Sequence, residues 1–175
     1  MRFTKNGQGN LYYNINLKYY LPFSEIAPLE QGMVVIREFV NDKGKVLPTD
    51  AIIENSEVWI RLIVVAPAER HYVVVEDILP AGLEAVNESL KNTSVLNSVQ
   101  PKIVDVHKFL YFNHKEYHDD RVTLFADYLS PGVYEVSYRV RATTSGKYHY
   151  PPASAYQMYT PDVSGHSSGG WLEVK

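Results

Sequence analysis

The strongest constraint on the fold of this 175-residue chain is a run of strict alternation in its C-terminal half, Val133–Ala142. Tyr134, Val136 and Tyr138 recur at every second position and are separated by polar or charged residues. Successive side chains of an extended chain point to opposite faces, so this run predicts a β-strand with one face on a core. Similar short runs recur along the chain. The sequence therefore predicts an all-β fold, an antiparallel β-sandwich with about nine strands and at most one short helix.

The other predicted strands are short apolar or alternating runs that end at glycine, proline or charged turns. They comprise Leu11–Tyr20, Met33–Asn41, Glu57–Ala66, Tyr72–Leu79, Val106–Asn113, Arg121–Tyr128, Lys147–Tyr150 and Trp171–Val174. Glu57–Ala66 is the most apolar run and is expected to be central, with Trp59 in the core. Lys147–Tyr150 is expected to return, after a turn at Ser145-Gly146, as the partner of the Val133–Ala142 strand.

Four segments are expected to lie outside the strands. Leu83–Leu90 is predicted to form one or two helical turns, and Asn92–Lys102 is predicted to be a loop. His114–Asp120 is interpreted as a charged turn. Asp162–Gly170 is rich in glycine and serine and is expected to be mobile.

The chain is predicted to contain one main domain and a lead-in. Leu21–Gly32 contains Pro22 and Pro28 and is interpreted as a linker. We therefore assign residues 1–28 to a lead-in strand and linker from a preceding region, and residues 29–175 to the β-sandwich domain. A chain of this length can bury roughly 70% of its unfolded surface, which is enough for a core without disulfides.

Charge and composition exclude several classes of function. The net charge is −3, and acidic and basic residues are interspersed, so nothing favours binding to nucleic acid. The absence of cysteine excludes disulfides, thiolate metal sites and a cysteine nucleophile. No apolar run approaches the ~20 residues that span a bilayer, so no direct membrane insertion is predicted.

The sequence offers little support for catalysis. It contains no nucleophile elbow, phosphate-binding loop, dinucleotide fingerprint or zinc-protease motif. His114, His118 and Asp120 could be proposed as metal ligands, but their spacing suits a helix and they lie between strands. The favoured interpretation is a turn in which Asp119 or Asp120 pairs with Arg121. We therefore predict a protein that is not an enzyme and has no cofactor.

The most specific functional candidates follow two consecutive prolines. Pro151-Pro152 should end a β-ladder, because proline has no backbone N–H. The segment that is then expected to leave the sheet carries Tyr156, Met158 and Tyr159. Methionine adapts to irregular surfaces and tyrosine combines apolar area with a hydroxyl, so these residues suit an interface. The alternative is that Met158 and Tyr159 fill this domain's own core.

A series of motifs resembles the C-terminal end of bacterial α2-macroglobulins, from about Gly32 to Val174. The series contains DILPAGLE at Asp77–Glu84, EYHDDRV at Glu116–Val122, YRVRAT at Tyr138–Thr143, Gly146, PPA at Pro151–Ala153 and MYTP at Met158–Pro161. The lead-in Gly7–Tyr20 is similar to the segment just upstream in the same family.

This resemblance implies that the β-sandwich is of the macroglobulin or immunoglobulin-like kind. It also implies that this is the last macroglobulin-like domain, the receptor-binding-like one, of a broad-spectrum protease inhibitor in the periplasm or at the cell surface. In that family a protease cuts a bait region, and an internal thioester then captures it. The resemblance implies that Met158 and Tyr159, supported by Tyr156, pack against the thioester domain of the same parent chain and keep water from the reactive bond. Target proteases would be partners of the parent.

A second hypothesis is a cell-surface adhesin or a carbohydrate-binding β-sandwich. Such a module would expose aromatic rings along one groove or face, and the candidates are Trp59, Tyr111 and Trp171. The solvent exposure of these rings distinguishes this hypothesis from the first.

Overall fold

The computed structural model describes residues 2–87 and 111–175, which form a 3-10 turn at Phe23–Glu25 and twelve β-strands. The strands are β1 Leu29–Gln31, β2 Val34–Val40, β3 Glu57–Ala66, β4 Arg70–Ile78, β5 Leu83–Ala85, β6 His114–Tyr117, β7 Arg121–Leu129, β8 Gly132–Ala142, β9 Gly146–Tyr150, β10 Ser154–Gln157, β11 Thr160–His166 and β12 Gly170–Val174. The predicted all-β class is confirmed. In the part of the chain that the structure describes, no helix is long and apolar enough to cross a membrane.

The strands form two large sheets that enclose one core. One sheet has six strands in the order β1-β11-β10-β4-β7-β6, and the other has four in the order β2-β3-β8-β5. A two-stranded sheet of β12 and β9 lies beside them, and the paired strands of all three sheets are antiparallel. Alternate residues of both large sheets meet in the core, for example Leu62 and Val136 from one and Val75 and Leu124 from the other.

The central strand forms where the sequence predicts it. β3 has the predicted bounds and pairs with β2 on one side and with β8 on the other. Trp59 is 6% exposed and is therefore buried as predicted, on the face of β3 opposite the core residues Ile60 and Leu62. The alternation in β8 also behaves as expected, because Tyr134, Val136 and Tyr138 are all buried.

The predicted strand at Leu11–Tyr20 is wrong. This segment has no ladder, and its side chains are exposed on both faces, with Tyr12 86% and Leu17 82% accessible. A strand is stabilised by a partner's N–H and C=O groups, and no other described segment supplies them. Leu29–Gln31, at the end of the segment Leu21–Gly32 that is predicted to be a linker, instead forms β1 and pairs with β11.

Two expectations near the C-terminus also need correction. Lys147–Tyr150 does form a strand, but its partner is β12 and not β8. The tract expected to be mobile lies largely in β11. A Cβ added to Gly165 of this strand would lie 2.2 Å from the Met33 carbonyl oxygen, so this glycine permits close packing and does not indicate flexibility.

Two polar segments form strands that were not predicted. Leu83–Ala85 pairs with the end of β8 and is therefore not helical. His114–Tyr117 pairs with β7, so the charged turn is limited to His118–Asp120. Residues 88–110 lie outside the described residues, as do the rest of the predicted helical turns, the loop at Asn92–Lys102 and most of the predicted strand at Val106–Asn113.

Candidate functional site

The segment after Pro151-Pro152 is a strand of the six-stranded sheet, contrary to the expectation that it leaves the sheet. β10 pairs with β4 on one side and with β11 on the other. Gln157 pairs with Thr160, so Met158 and Tyr159 form the two-residue turn of a hairpin. We call Met158–Tyr159 the tip turn. β9 of the two-stranded sheet ends just before the two prolines, and the chain then enters the six-stranded sheet as β10.

Both residues of the tip turn face solvent. Met158 is 51% exposed and Tyr159 is 79% exposed, whereas Tyr156 is half-buried. The alternative that Met158 and Tyr159 fill the core is therefore wrong. The described structure leaves their apolar surface available to a neighbour.

The tip turn is held against the start of β4. The Met158 N–H donates to the Tyr72 carbonyl oxygen at 2.9 Å, which extends the β10–β4 ladder by one position. The Gln157 side-chain amide donates to the His71 carbonyl oxygen at 3.1 Å. The rings of Tyr72 and Tyr159 pack edge to face with centroids 5.2 Å apart. The exposed turn is therefore positioned by contacts on two sides.

A row of mostly apolar side chains extends from the tip turn across the outer face of the six-stranded sheet. Tyr156 pairs with Val74, Val74 with Phe125, and Phe125 with His114, so these four residues lie side by side on four strands. With Met158, the first three line a groove of about 400 Å³. We call it the tip groove. The candidate surface is thus wider than the tip turn alone.

Charged and polar residues form the wall of the tip groove beside the apolar residues Val74, Phe125, Tyr156 and Met158. The wall comprises Glu76, Glu116, His118, Asp120, Arg121 and Thr123. Arg121 pairs with Glu76 at 2.8 Å and with Asp120 at 2.9 Å. Its guanidinium lowers the pKa of the Asp120 carboxyl. The predicted Asp120–Arg121 pair is therefore confirmed.

The two histidines of the metal hypothesis contact one carboxylate. His114 Nε2 lies 3.0 Å from one oxygen of Glu116, and His118 Nε2 lies 3.2 Å from the other. Hydrogen bonds with His114 and then His118 hold the pKa of Glu116 below its usual range. Asp120 faces Arg121 instead. Among residues 2–87 and 111–175, no group of three or more His, Cys, Asp or Glu side chains is placed to hold a metal ion.

The three aromatic candidates for carbohydrate binding have different environments. Trp59 is buried. Tyr111 packs edge to face on Tyr134, and Trp171 packs against His149 with centroids 3.5 Å apart. Because Trp59 is inaccessible, the three rings do not form the single exposed face that this hypothesis requires.

A buried polar network lies where the chain enters β10, and sequence reasoning missed it. Arg37 of β2 forms an ion pair with Asp77 of β4, and its guanidinium also donates to the Pro151 carbonyl oxygen at 2.6 Å. The Tyr138 hydroxyl donates to Asp77 Oδ2 at 2.5 Å, and the Tyr150 ring covers Arg37. Burial raises the pKa of Tyr138 well above its ordinary value, and Asp77 raises it further. The network joins both large sheets to the segment before β10.

The chain is similar to bacterial alpha-2-macroglobulins. A family model described as "Bacterial Alpha-2-macroglobulin MG10 domain" matches residues 32–162. An alpha-2-macroglobulin homolog of Nostoc sp. is 30% identical over 94% of this chain, which covers 9% of that protein. Alpha-2-macroglobulin of Xylella fastidiosa, strain Temecula1, is 25% identical over 94% of this chain, which covers 10% of that protein. The chain thus spans about a tenth of the length of the curated relatives it matches.

Solved structures show the same fold. Trypsin-activated alpha-2-macroglobulin from Escherichia coli matches with a TM-score of 0.75 and 25% identity, over 87% of this chain and 11% of that one. Native Escherichia coli alpha-2-macroglobulin spanning domain MG7 to the C-terminus matches with a TM-score of 0.74 and 25% identity, over 87% of this chain and 25% of that one.

Proposed function

This chain belongs to the family of bacterial alpha-2-macroglobulin MG10 domains, and on that basis we propose that it is a non-catalytic domain of a broad-spectrum protease inhibitor. In this proposal it packs against the thioester domain of the same parent chain and shields the thioester until the bait region is cut. The observation that carries the proposal is the tip turn, where Met158 and Tyr159 are exposed and yet held in place.

Protection of a thioester is a problem of excluding water. An activated acyl group persists where a closed, dry site keeps water from its carbonyl carbon. A buried aromatic side chain covers 150–250 Å² as a general range, and methionine fits its flexible thioether to an irregular surface. Tyr159 and Met158 supply these two kinds of contact, and Tyr156 continues the apolar surface into the tip groove.

The chain requires a partner that supplies the reactive group. It has no cysteine, so the thioester belongs to another part of the parent. We propose that this partner is the parent's thioester domain, and that target proteases are bound by the parent. The proposal places the parent in the periplasm or at the cell surface, with this chain as its last macroglobulin-like domain, the receptor-binding-like one.

The proposal is tested in the full-length parent by replacing Met158 or Tyr159 with alanine. Each change should expose the thioester to small nucleophiles and raise its rate of reaction with methylamine before any bait cleavage. We expect roughly a tenfold increase, equivalent to about 1.4 kcal/mol of lost protection. The measurement is the appearance of the free thiol over time.

A matched control uses another exposed apolar residue. Ile53 lies in the connection between β2 and β3 and is exposed to a similar degree as Met158, so Ile53→Ala should leave the methylamine rate unchanged. Unchanged rates in both tip variants would remove the shielding role, and an equal increase in the control would show a general loss of stability.

A further inference from the structure

The backbone at Tyr72 adopts a conformation that tyrosine rarely adopts. Its φ angle is 52°, in the left-handed region, although it lies within β4. Cβ contacts make this region unfavourable for bulky residues, whereas glycine adopts it freely and asparagine tolerates it. The other described non-glycine residue with positive φ is in fact an asparagine, Asn55. Such strain persists only where the surroundings impose it, and it often marks a functional position.

The strain coincides with a local break in the sheet. β4 pairs with β7 at His71↔Tyr128 and again at Val73↔Ala126, but Tyr72 has no partner in this ladder. The register is the same on both sides of the break, so the chain is turned locally without an inserted residue. This distinguishes Tyr72 from a β-bulge, which would shift the register.

Tyr72 contacts both residues of the tip turn. Its carbonyl oxygen accepts the Met158 N–H at 2.9 Å, and its ring packs edge to face on the Tyr159 ring at 5.2 Å. Tyr72 is itself 51% exposed, so its ring contributes little to the core. A glycine would supply the same carbonyl at a lower conformational cost, but it would have no ring to support Tyr159.

We propose that Tyr72 is a positioning residue that presents the tip turn, and that its ring is retained at a strained position for this purpose. Its main-chain contact sets the place of Met158, and its ring sets the orientation of Tyr159. The consequence for inhibition rests on the shielding function proposed above, whereas the positioning itself is a property of this chain alone.

The first experiment uses the 175-residue chain. Tyr72→Gly removes the ring and accommodates the backbone angle, and Tyr72→Phe retains the ring. The glycine variant should keep or raise the melting temperature because the strain is relieved. Its Met158 N–H should keep its hydrogen bond because glycine supplies the same carbonyl, whereas the Tyr159 ring should lose order by NMR relaxation because its ring contact is removed. The phenylalanine variant should leave both measurements unchanged.

A matched control separates positioning from general stability. Tyr128 is another half-exposed tyrosine, and its ring packs on His71, the residue before Tyr72 in β4. Tyr128→Ala should leave the order of the Tyr159 ring unchanged. Unchanged order of the Tyr159 ring in Tyr72→Gly would overturn the proposal. If that variant folds poorly, Tyr72→Asn removes the ring while tolerating the same angle, and the same readouts apply.

The second experiment introduces the same variants into the parent. Tyr72→Gly should raise the methylamine reaction rate before bait cleavage, and Tyr72→Phe should not. If Tyr72→Gly disorders the Tyr159 ring in the isolated chain and yet leaves the methylamine reaction rate of the parent unchanged, that result would support the positioning role of Tyr72 and contradict the shielding function. An unchanged order of the Tyr159 ring in the isolated Tyr72→Gly chain would contradict the positioning role alone.

Discussion

Arg37 and Asp77 form an ion pair between the two large sheets, with side-chain exposures of 2% and 0%. Taking two charges out of water is costly, and their attraction offsets that cost only when further hydrogen bonds complete the arrangement. Here the Tyr138 hydroxyl and the Pro151 carbonyl supply those bonds. Removal of one member of this network should therefore cost more stability than removal of one member of a surface ion pair.

The ion pair leads to a prediction about stability. Asp77→Asn leaves the Arg37 guanidinium charged and buried without its counter-ion, so we expect a loss of about 3–5 kcal/mol in the free energy of unfolding. Urea denaturation measures the change. Glu38→Gln, which breaks the more exposed pair with Arg61, is the control and should cost about 1 kcal/mol or less. Equal losses in the two variants would contradict the assigned role of the buried pair.

Tyr138 predicts how stability changes at high pH. Its pKa is raised in the folded state, so the folded protein holds this proton more tightly than the unfolded chain does. The stabilisation is therefore complete below the unfolded pKa of about 10 and is lost as the pH rises above it. Melting temperatures measured between about pH 8 and pH 11 should fall less steeply in Tyr138→Phe than in the wild type. Parallel profiles would show that Tyr138 does not contribute.

At the scale of secondary-structure elements, the hairpin of β10 and β11 is held at both its tip and its base. Its two strands change register between Tyr156 and Gln157, so the tip turn projects from an irregular part of the ladder. At its other end Gly165 allows β11 to pass close to the Met33 carbonyl oxygen and to pair with β1. The hairpin is thus anchored at its base by close backbone packing and supported at its tip by Tyr72.

Substitution of Gly165 tests this anchoring. An alanine Cβ would lie 2.2 Å from the Met33 carbonyl oxygen, so the backbone must move and we expect a loss of about 1–3 kcal/mol in unfolding free energy. Gly132→Ala is the matched control, because its nearest atom would be 3.7 Å away, an ordinary contact. Chemical denaturation of both variants gives the comparison, and a neutral Gly165→Ala would show that β11 is not held there.

At the scale of the whole molecule, the lead-in segment at residues 11–20 forms no ladder with the described strands of the sandwich. The side chains of residues 11–20 are exposed, and no described strand pairs with them. The connection to the sandwich begins later, where Phe23 packs on His149 and the Ile26 carbonyl accepts the Gly169 N–H at 3.3 Å. The described core therefore contains no side chain from residues 11–20.

Truncation tests this separation. A variant lacking residues 2–20 should unfold with a free energy within about 0.5 kcal/mol of the full chain, since all of these residues are exposed in the described structure. A longer truncation through Ile26 should be less stable, because it removes the contacts with His149 and Gly169. Thermal and urea denaturation measure both. A large loss in the shorter variant would show that the lead-in packs on the sandwich.

The local sequence determined the fold class and much of the strand content. The period-two alternation of Tyr134, Val136 and Tyr138 identifies a strand by itself, because side-chain direction in an extended chain depends only on position. The candidates Met158, Tyr159 and Tyr156 also came from a local motif and from the resemblance built on it. Their shielding role remains a prediction.

The tertiary structure alone decided which strands pair and what surrounds the tip turn. The pattern of Leu11–Tyr20 predicted a strand, yet it has no partner in the described structure, and β9 pairs with β12 instead of its neighbour β8. The positive φ of Tyr72 carries no local signal in the sequence. The physical reason is that hydrogen-bonded ladders and ring contacts join residues distant along the chain, and only the fold as a whole selects which of them meet.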